Sequence, residues 1–186
     1  MSTQLARAGL RDGTRVSLHS IGPEDRACIA RGFEQLSPQA RESRFLRPMS
    51  RLDGATLDYL TAIDGHRHLA VGAHAGIHDD EQVGLARCVR LDDEPETAEI
   101  AVTVLDPWQR RGAARVLVTE LARGADAVGI RCFRALFRYD NLGVARLLQG
   151  AGVPFVPDGG GMIRADIPLE LILRAPPVSL AGPASA

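Results

Sequence analysis

Residues 109–114 read Gln-Arg-Arg-Gly-Ala-Ala and lie between a predicted strand that ends at Val104 and a predicted helix. The first backbone N–H groups of a helix have no acceptor within the helix and lie at the positive end of its dipole, so they bind phosphate oxygens. Gly112 and the following alanines let the backbone approach a pyrophosphate, and Arg110 and Arg111 add positive charge. The stretch therefore predicts a pyrophosphate site, although six such residues also occur as a helix start with two solvated arginines.

The segments around this loop predict one sheet with helices packed on it. The strand 98–104 has one face with Ile100, Val102 and Val104 and another with Glu99, Ala101 and Thr103. The predicted elements before the loop are, in chain order, a strand at 15–20, helices at 22–35, from Ser37 and at 54–63, and a hairpin of strands 68–74 and 83–89. After Gly112 we predict a helix with the apolar stripe Val116, Leu117, Leu121, Ala125 and Val128, a strand at 132–137, a helix capped by Asp140 that runs through Gln149, and a final strand. This order predicts a mixed α/β fold in one domain over residues 1–174, followed by a disordered tail over 175–186.

Composition narrows the function classes. A chain of 186 residues can bury a sizeable core, and its formal net charge of -1 gives no general attraction for nucleic acid. Three scattered cysteines predict neither a disulfide framework nor a thiolate metal site. No apolar run is long enough to span a bilayer, and the first residues lack the core of a signal peptide, so we expect no membrane partner and a cytoplasmic location.

Gln109, Gly112 and Ala114 match the signature Gln/Arg-x-x-Gly-x-Gly/Ala of the GNAT N-acetyltransferase superfamily, which this loop resembles. That family places the signature after its fourth strand, as the predicted strands do here, and an asparagine near the start of the next helix, where this chain has Asn141. The resemblance covers residues 83–153 well. It implies an α/β (α+β) fold with a single mixed, mostly antiparallel sheet flanked by helices on both faces, and acetyl-CoA as co-substrate. The residues that we expect to bind acetyl-CoA are Val102, Thr103, Val104, Gln109, Arg110, Arg111, Gly112, Ala113, Ala114 and Asn141.

A glutamate on the strand before the loop is the candidate catalytic residue. An alkyl amine titrates near ~10.4 and is protonated at pH 7, so its attack on a thioester needs a base. Glu99 lies on the small-residue face of the strand and is the candidate general base, acting directly or through a water. Residues 98–101, Ala-Glu-Ile-Ala, are similar to the segment that carries the glutamate base of bacterial Pat-type protein lysine acetyltransferases. Glu94 and Glu96 are weaker alternatives as the base. Glu99 could instead be a solvated surface glutamate without a catalytic role.

The final helix departs from the family pattern. Leu148 stands where many members have a tyrosine that protonates the departing thiolate. An alkyl thiol has a pKa near ~8.5 and leaves as a thiolate with modest help, so this departure does not exclude catalysis. Tyr139 is a substitute about one turn away.

The early helices and the histidines allow looser interpretations. Residues 34–45 loosely resemble the Leu-Ser-Pro region that borders the acceptor site in Pat-type enzymes. A ridge of arginines begins in this region and either attracts an acidic protein partner or is simply solvated. Its members are Arg41, Arg44, Arg47 and Arg51. His66, His68 and His74 share strand parity, but no cysteine or carboxylate completes a ligand spacing, so we expect no metal. Trp108 is expected to pack under the loop.

The sequence therefore predicts an acetyl-CoA-dependent N-acetyltransferase that passes the acetyl group directly to an amine. A protein lysine is narrowly favoured over a small-molecule amine as the acceptor. A non-catalytic acetyl-CoA-binding regulatory module is the alternative, and Leu148 is its sequence hint. Nucleic acid ranks last because no aromatic residues interleave with the arginines. The protein is expected to be a monomer or a homodimer.

Overall fold

A computed structural model of the chain describes residues 3–46, 48–76 and 80–174. They form one sheet in which eight strands lie in the order β1-β2-β3-β4-β5-β6-β8-β7. The strands are β1 (Gln4–Gly9), β2 (Arg15–Ser20), β3 (His68–Ala75), β4 (Glu81–Arg90), β5 (Thr97–Val104), β6 (Cys132–Arg138), β7 (Phe155–Gly159) and β8 (Met162–Pro168). The helices are α1 (Arg26–Glu34), α2 (Pro38–Phe45), α3 (Gly54–Thr61), α4 (Ala113–Ala127), α5 (Leu142–Gly150) and α6 (Leu169–Arg174).

The pair β5 and β6 is parallel, whereas the other six neighbouring pairs of described strands are antiparallel. Parallel strands need a crossover connection, and α4 supplies it between them. The predicted apolar stripe of α4 is correct, since Val116, Leu117, Leu121 and Ala125 are buried against β3, β4 and β5. The mixed, mostly antiparallel sheet expected from the sequence is confirmed.

Helices cover both faces of the sheet. The β5 residues Ile100, Val102 and Val104 pack into the same core as the stripe of α4, as the strand pattern predicted. On the opposite face, Ile29 of α1 and Leu60 of α3 pack with Ala70 of β3, and Leu85 of β4 lies against them. Because adjacent strand residues point to opposite faces, Glu99, Ala101 and Thr103 lie on the side of α1, α2 and α3.

Several elements differ from the sequence prediction. The edge strands β1 and β7 and the short helix α6 were not predicted. After α5 the chain forms the hairpin β7–β8 instead of the single predicted strand. The predicted Asp140 cap was wrong: Asn141 caps α5, because its Oδ1 accepts from the N–H of Val144 at 3.2 Å. Asp140 instead forms an ion pair with Arg138 at 3.0 Å.

Two predictions fall on residues outside the described part of the chain. They are the disordered tail over residues 175–186 and the contribution of Arg47 to the arginine ridge. No helix within the described ranges is long and apolar enough to cross a membrane.

Candidate active site

The strands β5 and β6 separate halfway along their length. Their pairing runs from Thr97 opposite Cys132 to Ile100 opposite Ala135 and stops there. Strand β5 continues to Val104 while paired with β4, and β6 continues to Arg138 while paired with β8. No described strand pairs with the freed edge of β5 after Ile100. The sheet therefore has a gap between β5 and β6 that begins after Ile100, the residue next to Glu99.

The loop before α4 has the geometry of an anion cradle. Gly112 is the N-cap residue of α4 with φ 93°, and no side chain caps the helix. Arg110 also has a positive φ of 61°, which is uncommon for a residue with a side chain. A 15-residue helix with uncapped N–H groups presents them and its positive dipole end to an anion. The predicted helix start therefore lies at the mouth of the gap between β5 and β6.

The side chains of this loop hold its shape. Gln109 donates from Nε2 to the carbonyl of Val104 at 3.2 Å and to Oδ1 of Asp106 at 2.8 Å. The Arg111 guanidinium stacks 5.0 Å from the centroid of the Trp108 ring and forms an ion pair with Asp12 at 3.2 Å. Trp108 is buried, as predicted. Gln109 and Arg111 thus brace the loop, and Arg110 is a further exposed cation on it.

The turn before α5 lies at the same end of the sheet as this loop, because β5 and β6 are parallel. Asn141 uses its Oδ1 to cap α5, which leaves its amide N–H groups as donors. Asn141 also lines a cleft of about 380 Å³ between α2 and the start of α5. The other residues that line this cleft are Gln39, Glu42, Ser43, Arg138, Asp140, Leu142 and Gly143.

Glu94, Glu96 and Glu99 are the candidate bases, and Glu94 and Glu99 differ in their hydrogen-bond partners. Glu94 accepts hydrogen bonds from both Nη atoms of Arg134, at 2.7 and 2.9 Å, and these bonds lower the pKa of Glu94. Glu99 is exposed, and its carboxylate forms no hydrogen bond or ion pair with a described residue. A carboxylate without a cationic partner accepts a proton more readily than one held in an ion pair. Glu99 therefore stays the candidate base, while Glu96 lies before the start of β5.

Two arginines near Glu99 were not predicted as site residues. Arg44 of α2 is directed toward the sheet, where burial and the nearby Arg87 lower its pKa to about 10. Its charge also interacts with that of Glu99. Arg87 of β4 is 5% exposed and lies 4.5 Å from the centroid of the Tyr59 ring. A signal for Arg87 existed in the sequence, since it is the one charged residue in the otherwise apolar stretch 83–89.

The predicted arginine ridge is wrong as a solvent-facing surface. Arg41 donates to the carbonyls of Phe33, Glu34 and Ser50, at 3.2, 2.9 and 3.3 Å, and covers the Phe33 ring. Arg44 faces the sheet, and of the described members only Arg51 is exposed. The spacing of the arginines could not show which of them the sheet would bury.

The histidines have local roles. His68 is buried, and its Nδ1 lies 2.9 Å from the carbonyl of Ala62, to which it donates. Burial and Arg87 lower the pKa of His68 to about 4, so it is neutral at pH 7. His74 contacts Cys28, with Nε2 3.5 Å from Sγ. Within residues 3–46, 48–76 and 80–174 no group of histidine, cysteine and carboxylate side chains could hold a metal ion.

Leu148, at the position where the family resemblance places a tyrosine, and Tyr139, its candidate substitute as general acid, differ in burial. Leu148 is 4% exposed and packs with Phe137, Val153 and Ala165. Tyr139 is 66% exposed, and its backbone N–H donates to the carbonyl of Gly161. The position where many relatives have a tyrosine therefore belongs to an apolar core in this chain.

Comparisons with known proteins agree with this fold, in which the sheet opens beside the uncapped start of α4. The acetyltransferase (GNAT) family model matches residues 33–152, and the chain belongs to this family. Its fold is that of GNAT acetyltransferases.

Individual relatives support the same class. Acetyltransferase Pat of Mycolicibacterium smegmatis is 27% identical over 171 residues, which cover 90% of this chain and 50% of that protein. The chain thus spans about half the length of this curated relative. The GNAT domain of S. lividans PAT superposes with a TM-score of 0.81 at 26% identity, covering 88% of this chain and 96% of that domain. The spermidine N-acetyltransferase of Vibrio cholerae, solved with CoA and spermine, shares the fold at a TM-score of 0.65 and 14% identity, covering 85% and 98% of the two chains.

Proposed function

We propose that the protein transfers the acetyl group of acetyl-CoA directly to an amine, with Glu99 as the general base. The separation of β5 and β6 after Ile100 carries this proposal. It opens the sheet next to Glu99 and in line with the uncapped start of α4. A donor anchored by its phosphates at α4 would therefore reach the only one of the three considered carboxylates that lies on β5 itself.

The residues present fit acetyl-CoA. The N–H groups of Gly112, Ala113 and Ala114 would bind the pyrophosphate, with Arg110 as the nearby cation. The freed edge of β5, over residues 102–104, offers backbone groups along the gap, and the amide of Asn141 adds a donor at its mouth. When bound, acetyl-CoA supplies the thioester that the amine attacks. A backbone N–H near Val104 would stabilise the negative charge that develops on the thioester oxygen.

Glu99 would accept the proton of the incoming ammonium, directly or through a water. Its lack of an ion-pair partner among the described residues supports this role, because a paired carboxylate is a weaker base. The leaving thiolate needs modest help, since an alkyl thiol has a pKa near ~8.5. We therefore assign no general acid, and the burial of Leu148 is consistent with a mechanism that does not need one.

A protein lysine remains narrowly favoured over a small amine as the acceptor. The similarity to acetyltransferase Pat supports the first, and the shared fold of the spermidine enzyme supports the second. The second candidate function is a non-catalytic module that binds acetyl-CoA. The apolar environment of Leu148, where many relatives have a tyrosine, favours it. The absence of nucleic acid and membrane partners, the cytoplasmic location and the oligomeric state stay predictions.

Glu99→Gln tests the proposal. Thiol release from acetyl-CoA is followed with a panel of amines that includes a lysine-rich protein, and binding of acetyl-CoA is measured by calorimetry. We expect kcat/KM to fall at least about ten-fold, or ~1.4 kcal/mol of transition-state stabilisation, with acetyl-CoA affinity unchanged.

Glu96→Gln is the matched control, because Glu96 is an exposed glutamate three residues away. It should keep the wild-type rate. If Glu99→Gln and the wild type have equal kcat/KM values, a group other than Glu99 accepts the proton. Tight acetyl-CoA binding without turnover on any amine would favour the non-catalytic module.

A further inference from the structure

The face of the sheet that carries Glu99 holds two guanidinium groups that form no ion pair with a described carboxylate. Arg44 and Arg87 form no hydrogen bond and no ion pair with any residue in the described ranges. Arg87 is buried and Arg44 is partly buried. A buried charge without a partner is costly, so proteins pair such charges or neutralise them. An arginine cannot be neutralised near pH 7, and Arg44 stays charged even with its pKa lowered to about 10.

Both guanidinium groups are stacked in a way that leaves their donors usable. Arg87 lies 4.5 Å from the centroid of Tyr59, and Arg44 lies 4.9 Å from that of Phe45. Stacking occupies the flat face of a guanidinium and leaves the N–H groups at its edge for a carboxylate. Neither residue has a side-chain nitrogen among the buried unpartnered atoms of the described chain, so these nitrogens keep contact with open space. Arg44 also lines a cleft together with Leu85 and Thr103.

The charges around this pair do not balance. Glu99 contributes one negative charge, which interacts with the charge of Arg44, but no ion pair among the described residues joins Glu99 to either arginine. His68, which lies near Arg87, is neutral because its pKa is lowered to about 4. Two guanidinium groups and one carboxylate leave a net charge of about +1 beside the candidate base. The missing anion would come from a molecule that binds next to Glu99.

We propose that Arg44 and Arg87 bind a carboxylate of the acceptor, so that the preferred acceptor carries its amine and a carboxylate on one molecule. This inference rests on the proposed function and names its substrate class. The carboxylate has two sources, the α-carboxylate of a free amino acid or an acidic side chain beside a lysine in a peptide. In either case the arginines would orient the amine toward Glu99 and the gap between β5 and β6.

Product binding tests this without requiring turnover. The CoA-loaded protein is titrated by calorimetry with Nε-acetyllysine and with N-acetylcadaverine, which differ only by the α-carboxylate. A second arm uses two blocked peptides in which glutamate or glutamine flanks an acetyllysine. We expect at least ten-fold tighter binding of the carboxylate-bearing member in one arm, and that arm identifies the source.

The variants Arg44→Gln and Arg87→Gln should each reduce this preference to less than three-fold. Arg51→Gln, which removes an exposed arginine just before α3, should keep it. Thermal unfolding checks that each variant is folded, and Arg44, which is less buried than Arg87, keeps the test open if Arg87→Gln does not fold. Equal affinities within both arms, no binding of any of the four ligands, or a preference that survives in both variants would overturn the inference. If thiol release with simple amines continues in that case, the proposed function stands without it.

Discussion

Glu94 and Glu99 lie five residues apart and have different surroundings. Glu94 is held by Arg134, a residue of β6, whereas Glu99 is exposed and unpaired within the described chain. The alternation of side chains along β5 predicted that Glu99 lies on the same face as the small side chains. This alternation could be predicted because it depends on local sequence alone. The pairing of Glu94 and the inward position of Arg44 could not be predicted, because both depend on contacts between distant segments.

His68 provides a prediction at the same scale. Its folded pKa of about 4 lies below the ordinary value of 6.5, so the unfolded state binds more protons between these two values. The free energy of unfolding should therefore fall as the pH is lowered from about 7 to about 4.5. His68→Asn, which keeps a donor for the Ala62 carbonyl, should lose part of this pH dependence in urea titrations.

The exposed His66 offers the control for this measurement. His66→Gln should retain the wild-type pH dependence. The same slope in His68→Asn as in the wild type would show that His68 is not held neutral in the folded protein.

At the scale of elements, local patterns predicted the central strands and α4 well. The apolar stripe of α4 and the alternation in β5 follow from burial on one side, which leaves a clear period in the sequence. The edge strands β1 and β7 are largely exposed and carry little of this signal. Glycines at residues 159–161, all with positive φ, mark the missed hairpin between β7 and β8.

The start of α4 gives a prediction with an internal control. Gly112 and Gly129 lie before and after this helix, with φ of 93° and 85°. Alanine at either position strains the backbone, so each variant should lose about 1–2 kcal/mol of stability. Only Gly112→Ala puts a methyl group and an altered backbone into the candidate cradle. Its acetyl-CoA affinity should fall at least ten-fold in calorimetric titrations.

Gly129→Ala should bind acetyl-CoA like the wild type, because a Cβ there meets no atom within 4 Å. Equal affinity for acetyl-CoA in both variants would place the phosphate site away from the start of α4.

At the scale of the molecule, the site is assembled from segments that are distant in sequence. The sequence predicted the loop, Glu99 and Asn141 as parts of one site. It could not predict the gap between β5 and β6, because that gap is a relation between two strands, each of which remains paired on its other side. Arg134 of β6 forms ion pairs with Glu94, which precedes β5, and with Asp166 of β8, and so links β6 to its two neighbouring segments.

Arg134→Ala should therefore destabilise the whole domain. Arg134 is only 16% exposed and binds two carboxylates, so we expect a loss of about 1–3 kcal/mol in urea unfolding. Arg131→Ala removes an exposed ion pair with Asp126 and should cost less than about 1 kcal/mol. Arg134 lowers the pKa values of Glu94 and Asp166. The stabilisation by Arg134 should thus be complete above their ordinary values of 4.5 and 3.8 and decline as the pH falls below them. An equal loss in the two variants would contradict a role for Arg134 in joining these strands.

The most direct test of the account is a crystal structure of the protein with CoA. The account predicts that the pyrophosphate accepts hydrogen bonds from the backbone N–H groups of Gly112, Ala113 and Ala114. It also predicts that the thiol end lies between β5 and β6 after Ile100, on the side that leads to Glu99. A CoA molecule bound elsewhere, or a thiol end outside this gap, would contradict the central claim.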